Sequence, residues 1–320
     1  SLVANYGAVI CPVVIPYIEN DEVKSYIDLI TNKAYACDGL ELKELRMPVS
    51  NEADEMRSML LEAIATADDA LMEKYFAGEE FTPEEIIEGL KKGVTAGEIC
   101  PVFAGVQQTG AAVPLMMDTL LQILPSAADA VCRFEDGEEK AFDENGENAL
   151  FVFKTIADPF VGKLSYFRVL SGKIKNDTRL INNRTGAEER LSKIMWLKGG
   201  KQEDAGEIIA GDIGSVSKLG NVLTGDTLSA SGKLAAAAVE FPAPTISVAV
   251  YPKAKGDEEK ITQAFSRLCE EDPTIKVYTD NETHEQILSA LGEQHIDVII
   301  SRLKSKFGAE VELKKPKIAY

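Results

Sequence analysis

Hydrophobic and polar positions divide the chain into three stretches with different periods. Up to about residue 130, short apolar runs alternate with helical patterns. Gly7-Ala-Val-Ile-Cys-Pro-Val-Val-Ile-Pro16 is bounded by prolines and predicts a buried strand, and Tyr26–Thr31 predicts another. From Glu52 to Ala77 the apolar positions Met56, Leu60, Ile64, Ala67, Leu71 and Tyr75 recur at steps of three and four, predicting one amphipathic helix with an acidic outer face. Thr82-Pro83-Glu84-Glu85 supplies an N-cap, a proline at the first helical position and acids in the first turn, so a helix is expected over Ile86–Lys92. A strand over Ile99–Phe103 and a helix over Val113–Leu124, stopped by Pro125, complete the stretch.

Between about 131 and 237 the period changes. Glu135–Lys140 and Asp143–Asn148 carry the glycines and acids of an exposed hairpin or linker. Strand signals then recur about every ten residues, over Ala149–Ile156, Lys163–Leu170, Arg179–Asn182, Arg190–Lys198 and Ile213–Lys218, with glycines near their ends. Many short strands with glycine-bearing turns predict a small antiparallel β-barrel. Ala235–Ala238 then reads as a tether. The remainder, Phe241–Tyr320, gives strand Thr245–Val250, helix Asp257–Glu271, strands Ile275–Thr279 and Glu285–Leu291, a helix marked by Ile296, Ile299, Ile300, Leu303 and Phe307, and strand Glu310–Leu313. That order, βαββαβ, predicts a ferredoxin-like domain.

Composition narrows the chemistry. With 320 residues, 45% hydrophobic and 27% charged, the chain suits a multidomain globular protein, and no apolar run approaches the roughly 20 residues of a membrane span. The opening Ser1–Tyr6 has no basic region of a secretory signal. Cys11, Cys37, Cys100, Cys132 and Cys269 are scattered without a C-x-x-C pair, which suits small buried hydrophobes in a reducing compartment. With only His284 and His295 besides, a metal centre is not expected. The net charge of −18 argues against free nucleic acid as a ligand. Yet Lys163, Arg168, Lys173, Lys175, Arg179, Arg184, Arg190, Lys193, Lys198 and Lys201 crowd one segment, which reads either as a local basic surface or as the solvated face of a barrel. Trp196 reads as barrel core, His284 as surface, and the pairs Glu79-Glu80, Glu84-Glu85 and Glu270-Glu271 as solvated faces.

The most informative stretch is Asp158-Pro-Phe-Val-Gly-Lys-Leu-Ser-Tyr-Phe-Arg-Val-Leu-Ser-Gly172, a turn, an alternating strand and a second turn. Ala210-Gly-Asp-Ile213, Thr224-Gly-Asp-Thr-Leu228, Pro242-Ala-Pro244, Glu271-Asp-Pro273 and Gly292-Glu-Gln-His-Ile-Asp297 follow it. Gly7-Ala-Val-Ile-Cys-Pro-Val, Ile27-Asp-Leu, Leu71-Met-Glu-Lys-Tyr75, Gly97-Glu-Ile-Cys-Pro-Val-Phe103 and Leu124-Pro-Ser126 precede it. In this order and spacing the chain resembles the elongation factor G family of translational GTPases. The resemblance implies a multidomain α/β and β protein. Residues 1–130 would be the C-terminal part of a GTP-binding domain with its insertion, 131–240 the translation-factor β-barrel (domain II) and 241–320 the ferredoxin-like domain III.

The family's G-x-x-x-x-G-K-[ST] phosphate loop and Asn-Lys-x-Asp are absent, since Asn32-Lys33 runs into Ala34-Tyr35. The chain thus looks like an internal fragment, inactive alone, of a cytoplasmic GTPase acting in translocation. The intact parent would use GTP and Mg²⁺. The partners implied are the ribosome, through small-subunit ribosomal RNA and proteins, and the parent's own GTPase and C-terminal domains; no membrane and no DNA are implied. The alternative is a non-catalytic ribosome-binding or ribosome-protection paralogue with altered or lost GTPase. Gly105-Val106-Gln107 favours it, standing where the family has Gly-Ser-Ala as a guanine-contacting loop. The resemblance further places Lys163, Arg168, Ser171, Gly172 and Lys173 toward ribosomal RNA. It places Pro242, Pro244 and His295 at an interdomain pocket for fusidic-acid-type inhibitors, where His295 read from its residues alone is a helix-start histidine packed at a domain interface.

Overall fold

A computed structural model describes residues 2–158, 162–254 and 256–317. Pro159, Phe160 and Val161, part of the informative stretch, lie outside the described residues. The chain forms two compact units, Ser1–Ser126 and Ala127–Tyr320.

The first unit runs α1 (Leu2–Tyr6), β1 (Ile10–Glu19), β2 (Glu22–Asp28), β3 (Lys33–Asp38), β4 (Glu41–Leu45), α2 (Asn51–Thr66), α3 (Asp69–Phe76), α4 (Pro83–Ala96), β5 (Cys100–Phe103) and α5 (Val113–Ile123). Its sheet has the order β4-β3-β2-β1-β5, an antiparallel meander with β5 added parallel to β1. The expected strand ending at Pro16 runs on to Glu19. Pro16 pairs only with Tyr26 of β2, because the pairing with β5 stops at Val14, so its missing N–H breaks no second ladder. Asn20 and Asp21, both at positive φ, make the tight turn into β2.

The single helix expected over 52–77 is two. Asp68 interrupts it: its carboxylate accepts the N–H groups of Ala70 and Leu71 at 2.9 and 3.1 Å, capping α3 and so competing with continuation of α2. The expected cap at Thr82 forms as a full capping box, with Glu85 N–H on Thr82 Oγ1 and Thr82 N–H on Glu85 Oε2. Leu60, Ile64, Ile86, Leu90 and Ile123 are fully buried and pack with Val13, Val14, Ile27 and Leu29 of the sheet.

The second unit begins with the hairpin β6 (Val131–Arg133) and β7 (Glu139–Ala141). Next come β8 (Ala149–Asp158), β9 (Gly162–Ser171), β10 (Lys173–Lys175), β11 (Thr178–Asn182), β12 (Glu188–Leu191), β13 (Ile194–Lys198), β14 (Lys201–Asp204), β15 (Glu207–Ile209), β16 (Ile213–Ser217) and β17 (Thr227–Ser229). Eight of them form a sheet of order β12-β11-β17-β8-β9-β16-β13-β14, while β10 pairs with β15. The sheet has to curl. Only Ser192 and Lys193 separate β12 from β13, a reach of roughly 11 Å, yet the two strands lie six positions apart, about 29 Å in a flat sheet. The expected barrel is therefore a curled antiparallel sheet around Leu150, Val152, Phe167, Val169, Ile174, Leu180 and Val216. The strand expected over Arg190–Lys198 is broken by this corner.

Trp196 is not core: it is 37% exposed, on the outer face opposite Glu203. Nor are the cysteines uniformly buried, since Cys100 is exposed and only Cys11 is fully enclosed. In Cys11 burial, reinforced by nearby Cys100, pushes the thiol up to about 12, so it stays an inert hydrophobe.

The last elements are β18 (Ile246–Pro252), α6 (Glu258–Glu271), β19 (Lys276–Thr279), β20 (Gln286–Ala290), α7 (Glu293–Phe307) and β21 (Val311–Lys314). They give the expected βαββαβ order in an antiparallel sheet β19-β20-β18-β21, with Phe265, Leu268, Ile299 and Leu303 of the two helices buried against Val250, Leu288 and Ala290.

In α4, Gly93 lies under Ile99, whose backbone is held there by N–H groups of Glu98 and Ile99 on Gly93 O at 2.8 and 3.1 Å. A Cβ at Gly93 would sit 2.3 Å from Ile99 Cδ1 and 2.5 Å from Cγ1. Alanine gains about 1 kcal/mol of helix propensity, but overpacking costs about 1–3 kcal/mol. Gly93→Ala is therefore expected to lower stability in urea denaturation, against the propensity scale.

Candidate functional site

Two turns of the curled sheet meet at the far end of β9. Gly172, at φ +74°, follows Ser171 and donates its N–H to Asp143 O at 2.8 Å, while Lys173 N–H goes to Asn148 Oδ1 at 3.0 Å. A Cβ on Gly172 would lie 2.2 Å from Asn148 Oδ1 and 2.8 Å from Asn148 Cα, so only glycine fits. Ala210 N–H reaches Gly172 O at 3.1 Å, and Gly211 N–H reaches Val169 O at 2.8 Å. Arg168 closes the cluster: its guanidinium lies 4.3 Å from the centre of the Phe142 ring, and its Nε–H donates to Gly211 O at 3.2 Å. Asp143–Asn148 is thus the wall of this turn cluster rather than a loose linker.

The five basic-edge residues are not all together. Arg168, Ser171, Gly172 and Lys173 are neighbours, but Lys163 is at the opposite end of β9, roughly 26 Å away along the strand. There it is mostly buried and pairs with Glu270 at 3.6 Å. Most of the crowd of cations is answered by acids: Lys173 by Glu144, Lys175 by Glu207, Arg179 by Glu188, Arg190 by Asp177, Lys193 by Asp204 and Lys198 by Glu203, at 2.6–3.3 Å. All of these pairs are solvent-exposed, so each adds little stability and exchanges readily for another anion.

Arg184 is different. Its fork grips the buried carboxylate of Asp226, Nε to Oδ1 at 2.6 Å and Nη2 to Oδ2 at 2.8 Å. Oδ2 also accepts Asn182 Nδ2–H at 2.7 Å and Leu223 N–H at 2.8 Å. Burial pushes the Asp226 carboxyl up, but the Arg184 fork, the Leu223 amide and Asn182 outweigh it and hold the group below the usual carboxylate range. Neither Asn182 nor Arg184 stands out in the sequence; the signal available is an Asn-Asn-Arg-Thr-Gly turn facing a Thr-Gly-Asp turn.

Gly105, Val106 and Gln107 form an exposed loop after β5, at the C-terminal edge of its parallel pairing with β1. The loop is closed on itself, with Val106 N–H on Ala111 O at 3.1 Å and Gly110 N–H on Val106 O at 2.9 Å. In the last module, His295 Nδ1 accepts Leu291 N–H at 3.3 Å, so Nε2 carries the proton toward Asp272 Oδ2 at 3.1 Å. Asp272 also accepts from Thr274 N–H at 2.9 Å and from its hydroxyl. Pro242 is exposed and Pro244 half-buried. His284 is exposed, in the turn after β19.

The family profile described as elongation factor G domain 2 matches residues 147–231, and that described as elongation factor G, domain III, matches residues 241–315. The chain belongs to the elongation factor G family. It is also similar, at 29% identity and a TM-score of 0.79, to a protein from Thermus thermophilus known from a crystal structure. The match covers 99% of this chain and 46% of that one, so the chain spans about half the length of that protein.

The elongation factor G domain 2 match contains the Gly172 cluster from Asn148 onward and the Asp226 network, and the domain III match contains the Asp272–His295 pair. Toward a guanine nucleotide the residues present fit poorly. The Val106 amide is already engaged by Ala111, and no lysine stands in a glycine-rich phosphate loop. Among the described residues no three His, Cys, Asp or Glu side chains are grouped to hold a metal ion. None of the described helices is long and apolar enough to cross a membrane.

Because its folded-state pKa is depressed, the Asp226 carboxylate stabilises the fold above the unfolded carboxyl value of about 3.9, and that contribution is lost as pH falls through the folded value. Asp226→Asn is expected to cost about 2 kcal/mol at pH 7, less than the roughly 3–5 kcal/mol of a fully buried pair because Arg184 is half exposed. It should also flatten the acid limb of stability below about pH 4; thermal melts across pH 2–7 check both.

Proposed function

We propose that this chain is the tail of the nucleotide domain, the second domain and the third domain of a cytoplasmic, ribosome-associated translational GTPase that acts in the translocation step. The observation that carries the reading is the tandem of elongation factor G domain 2 and domain III, in family order on one chain. GTP and Mg²⁺ would be held by segments of the parent that bear the phosphate loop and Asn-Lys-x-Asp. The residues of this chain would carry the consequence of nucleotide state to the ribosome by shifting as bodies against it.

In this reading the turn cluster of Arg168, Ser171, Gly172 and Lys173 faces small-subunit ribosomal RNA. Arg168 is pinned by Phe142 and Gly211, so it would fix the geometry of the edge, while Lys173 and neighbouring Lys175 would trade their exposed partners Glu144 and Glu207 for phosphates. Lys163, engaged with Glu270, plays no part in that contact. Gly105, Val106 and Gln107 would stand at the family's guanine loop without holding the nucleotide, because the Val106 amide is bonded to Ala111, and Pro242, Pro244 and His295 would face the inhibitor pocket between domains. A second reading, a ribosome-binding or ribosome-protecting paralogue with altered nucleotide handling, is favoured by one observation: the closed Val106–Ala111 loop at the position of the family's Gly-Ser-Ala.

Two outcomes are expected. In the intact parent, Lys173→Glu with Lys175→Glu should weaken small-subunit binding roughly tenfold at low salt, with the difference shrinking as salt rises, as read by sedimentation. Unchanged affinity with a native fold would remove this edge from the function. The 320-residue chain alone should take up no GTP at micromolar concentration in calorimetry with Mg²⁺; stoichiometric uptake would overturn the assignment of nucleotide binding to the rest of the parent.

A further inference from the structure

The last turn of α6 contradicts its own helix. It ends in Glu270 and Glu271, carries no basic residue and is followed at once by Asp272. The C-terminal end of a helix is its negative end, so two carboxylates there are locally unfavourable. Such a local violation marks a place where contacts elsewhere offset the cost.

The offsetting contacts come partly from α7 of the same module and partly from the curled sheet. Glu271 is almost completely buried, with its side chain 6% exposed. Its Oε1 accepts the N–H of Ala157 in β8 at 2.7 Å and the Nζ of Lys306 in α7 at 2.9 Å. Glu270 faces Lys163 of β9 at 3.6 Å. Ala157 and Lys163 are directly opposed in the β8–β9 ladder, so adjacent acids of one helix hold both strands of one hairpin at a single rung. The rung needs this. Along β8 the pairing with β17 covers Ala149–Phe151 and Val152 bonds the Gly225-Asp226 turn, so among the described residues the rung at Ala157 lies five residues past the last backbone bond on that side.

Apolar packing does not do the same work. A cleft of about 480 Å³ lies between Leu223 of the curled sheet and Phe265, Cys269 and Val277 of the βαββαβ module. A smaller one of about 220 Å³ opens beside the rung itself, between Ala157, Gly162, Lys163, Arg267 and Glu270. The second oxygen of Glu271 is buried without a partner. A carboxylate that is buried, shared between two modules and half-satisfied makes a contact that is specific when closed and open to release.

We propose that Glu271, assisted by Glu270, is a latch that joins the curled sheet to the βαββαβ module, so that the two turn as one body while it is closed and separately once it opens. The proposal rests on this geometry alone and not on the ribosomal reading above. Amide exchange in the full 320-residue chain tests it. Glu271→Ala should speed exchange at Ala157 at least tenfold while Phe265 and Leu288, in the core of the βαββαβ module, keep their protection. Thermal unfolding of residues 127–320 should then separate into two transitions. Glu271→Asp, which keeps the charge and withdraws it by one methylene, is read in the same way should the alanine variant not fold. Unchanged exchange at Ala157 in either folded variant would overturn the latch. So would loss of protection confined to α6 and α7, which would make Glu271 a cap internal to its own module.

Discussion

The curled sheet depends on one buried carboxylate. β17 is only three residues long, yet it is the strand that joins β11 on one side to β8 on the other. Three residues of ladder cannot hold that position alone. Asp226, immediately before it, supplies what is missing. Its side chain gathers Asn182 and Arg184 from the end of β11 and the Leu223 amide from its own turn, while its backbone oxygen accepts Val152 N–H of β8 at 2.9 Å. The carboxylate and the peptide group of the same residue thus bond to the two strands between which β17 lies. β17 is the one link in the sheet between β12-β11 on one side and β8-β9-β16-β13-β14 on the other, so what steadies β17 also steadies the corner at Ser192-Lys193.

Charge is used differently at the surface and in the interior. The chain has a net charge of −18, and exposed acids on neighbouring strands and turns answer most of its concentrated lysines and arginines. Pairs of that kind are weak and exchangeable, and they leave the cations available to a stronger anion. Acids with buried or half-buried side chains are held more specifically: Asp226 by Arg184, Glu271 by Lys306, and Asp272 by the Nε2–H of His295. Each of them joins elements distant in sequence, which is why charge counts along the chain say little about them.

What was legible in the sequence follows from the range of the forces involved. The βαββαβ module was readable almost to its boundaries, because its helices carry a clean apolar face and its strands alternate. The capping box at Thr82 and the curled sheet's long strands were readable for the same reason. Short strands such as β10, β15 and β17 were not, since three residues hold no period and form only because long-range partners present an edge. The break in the α2–α3 helix was written in Asp68, but a capping residue inside a continuous apolar period is outvoted by the period. Trp196 was misplaced for a related reason: alternation along a strand shows which residues share a face but not which face is inside. Of the candidate site, Arg168, Ser171, Gly172 and Lys173 are held together by the glycine and its turn. Lys163, on the same strand, belongs to the other end and to Glu270.

The β8–β9 hairpin makes sense of these separations. Over its ten-residue strands, roughly 33 Å long, it carries the Gly172 turn cluster at one end, bonds the Asp226 turn through Val152 near its middle, and meets Glu270 and Glu271 at the other. Phe167 and Val169 bury its inner face in the sheet's core, so it cannot flex freely between those points. The register shift at Val152–Lys154 bends β8 between those ends, so the turn cluster and the Glu271 contact are anchored separately along one hairpin. Tyr166 and Phe167 pair with Lys154 and Val152 on either side of that shift, and the rung of Ala157 and Lys163 beyond it is the one that Glu271 and Glu270 hold.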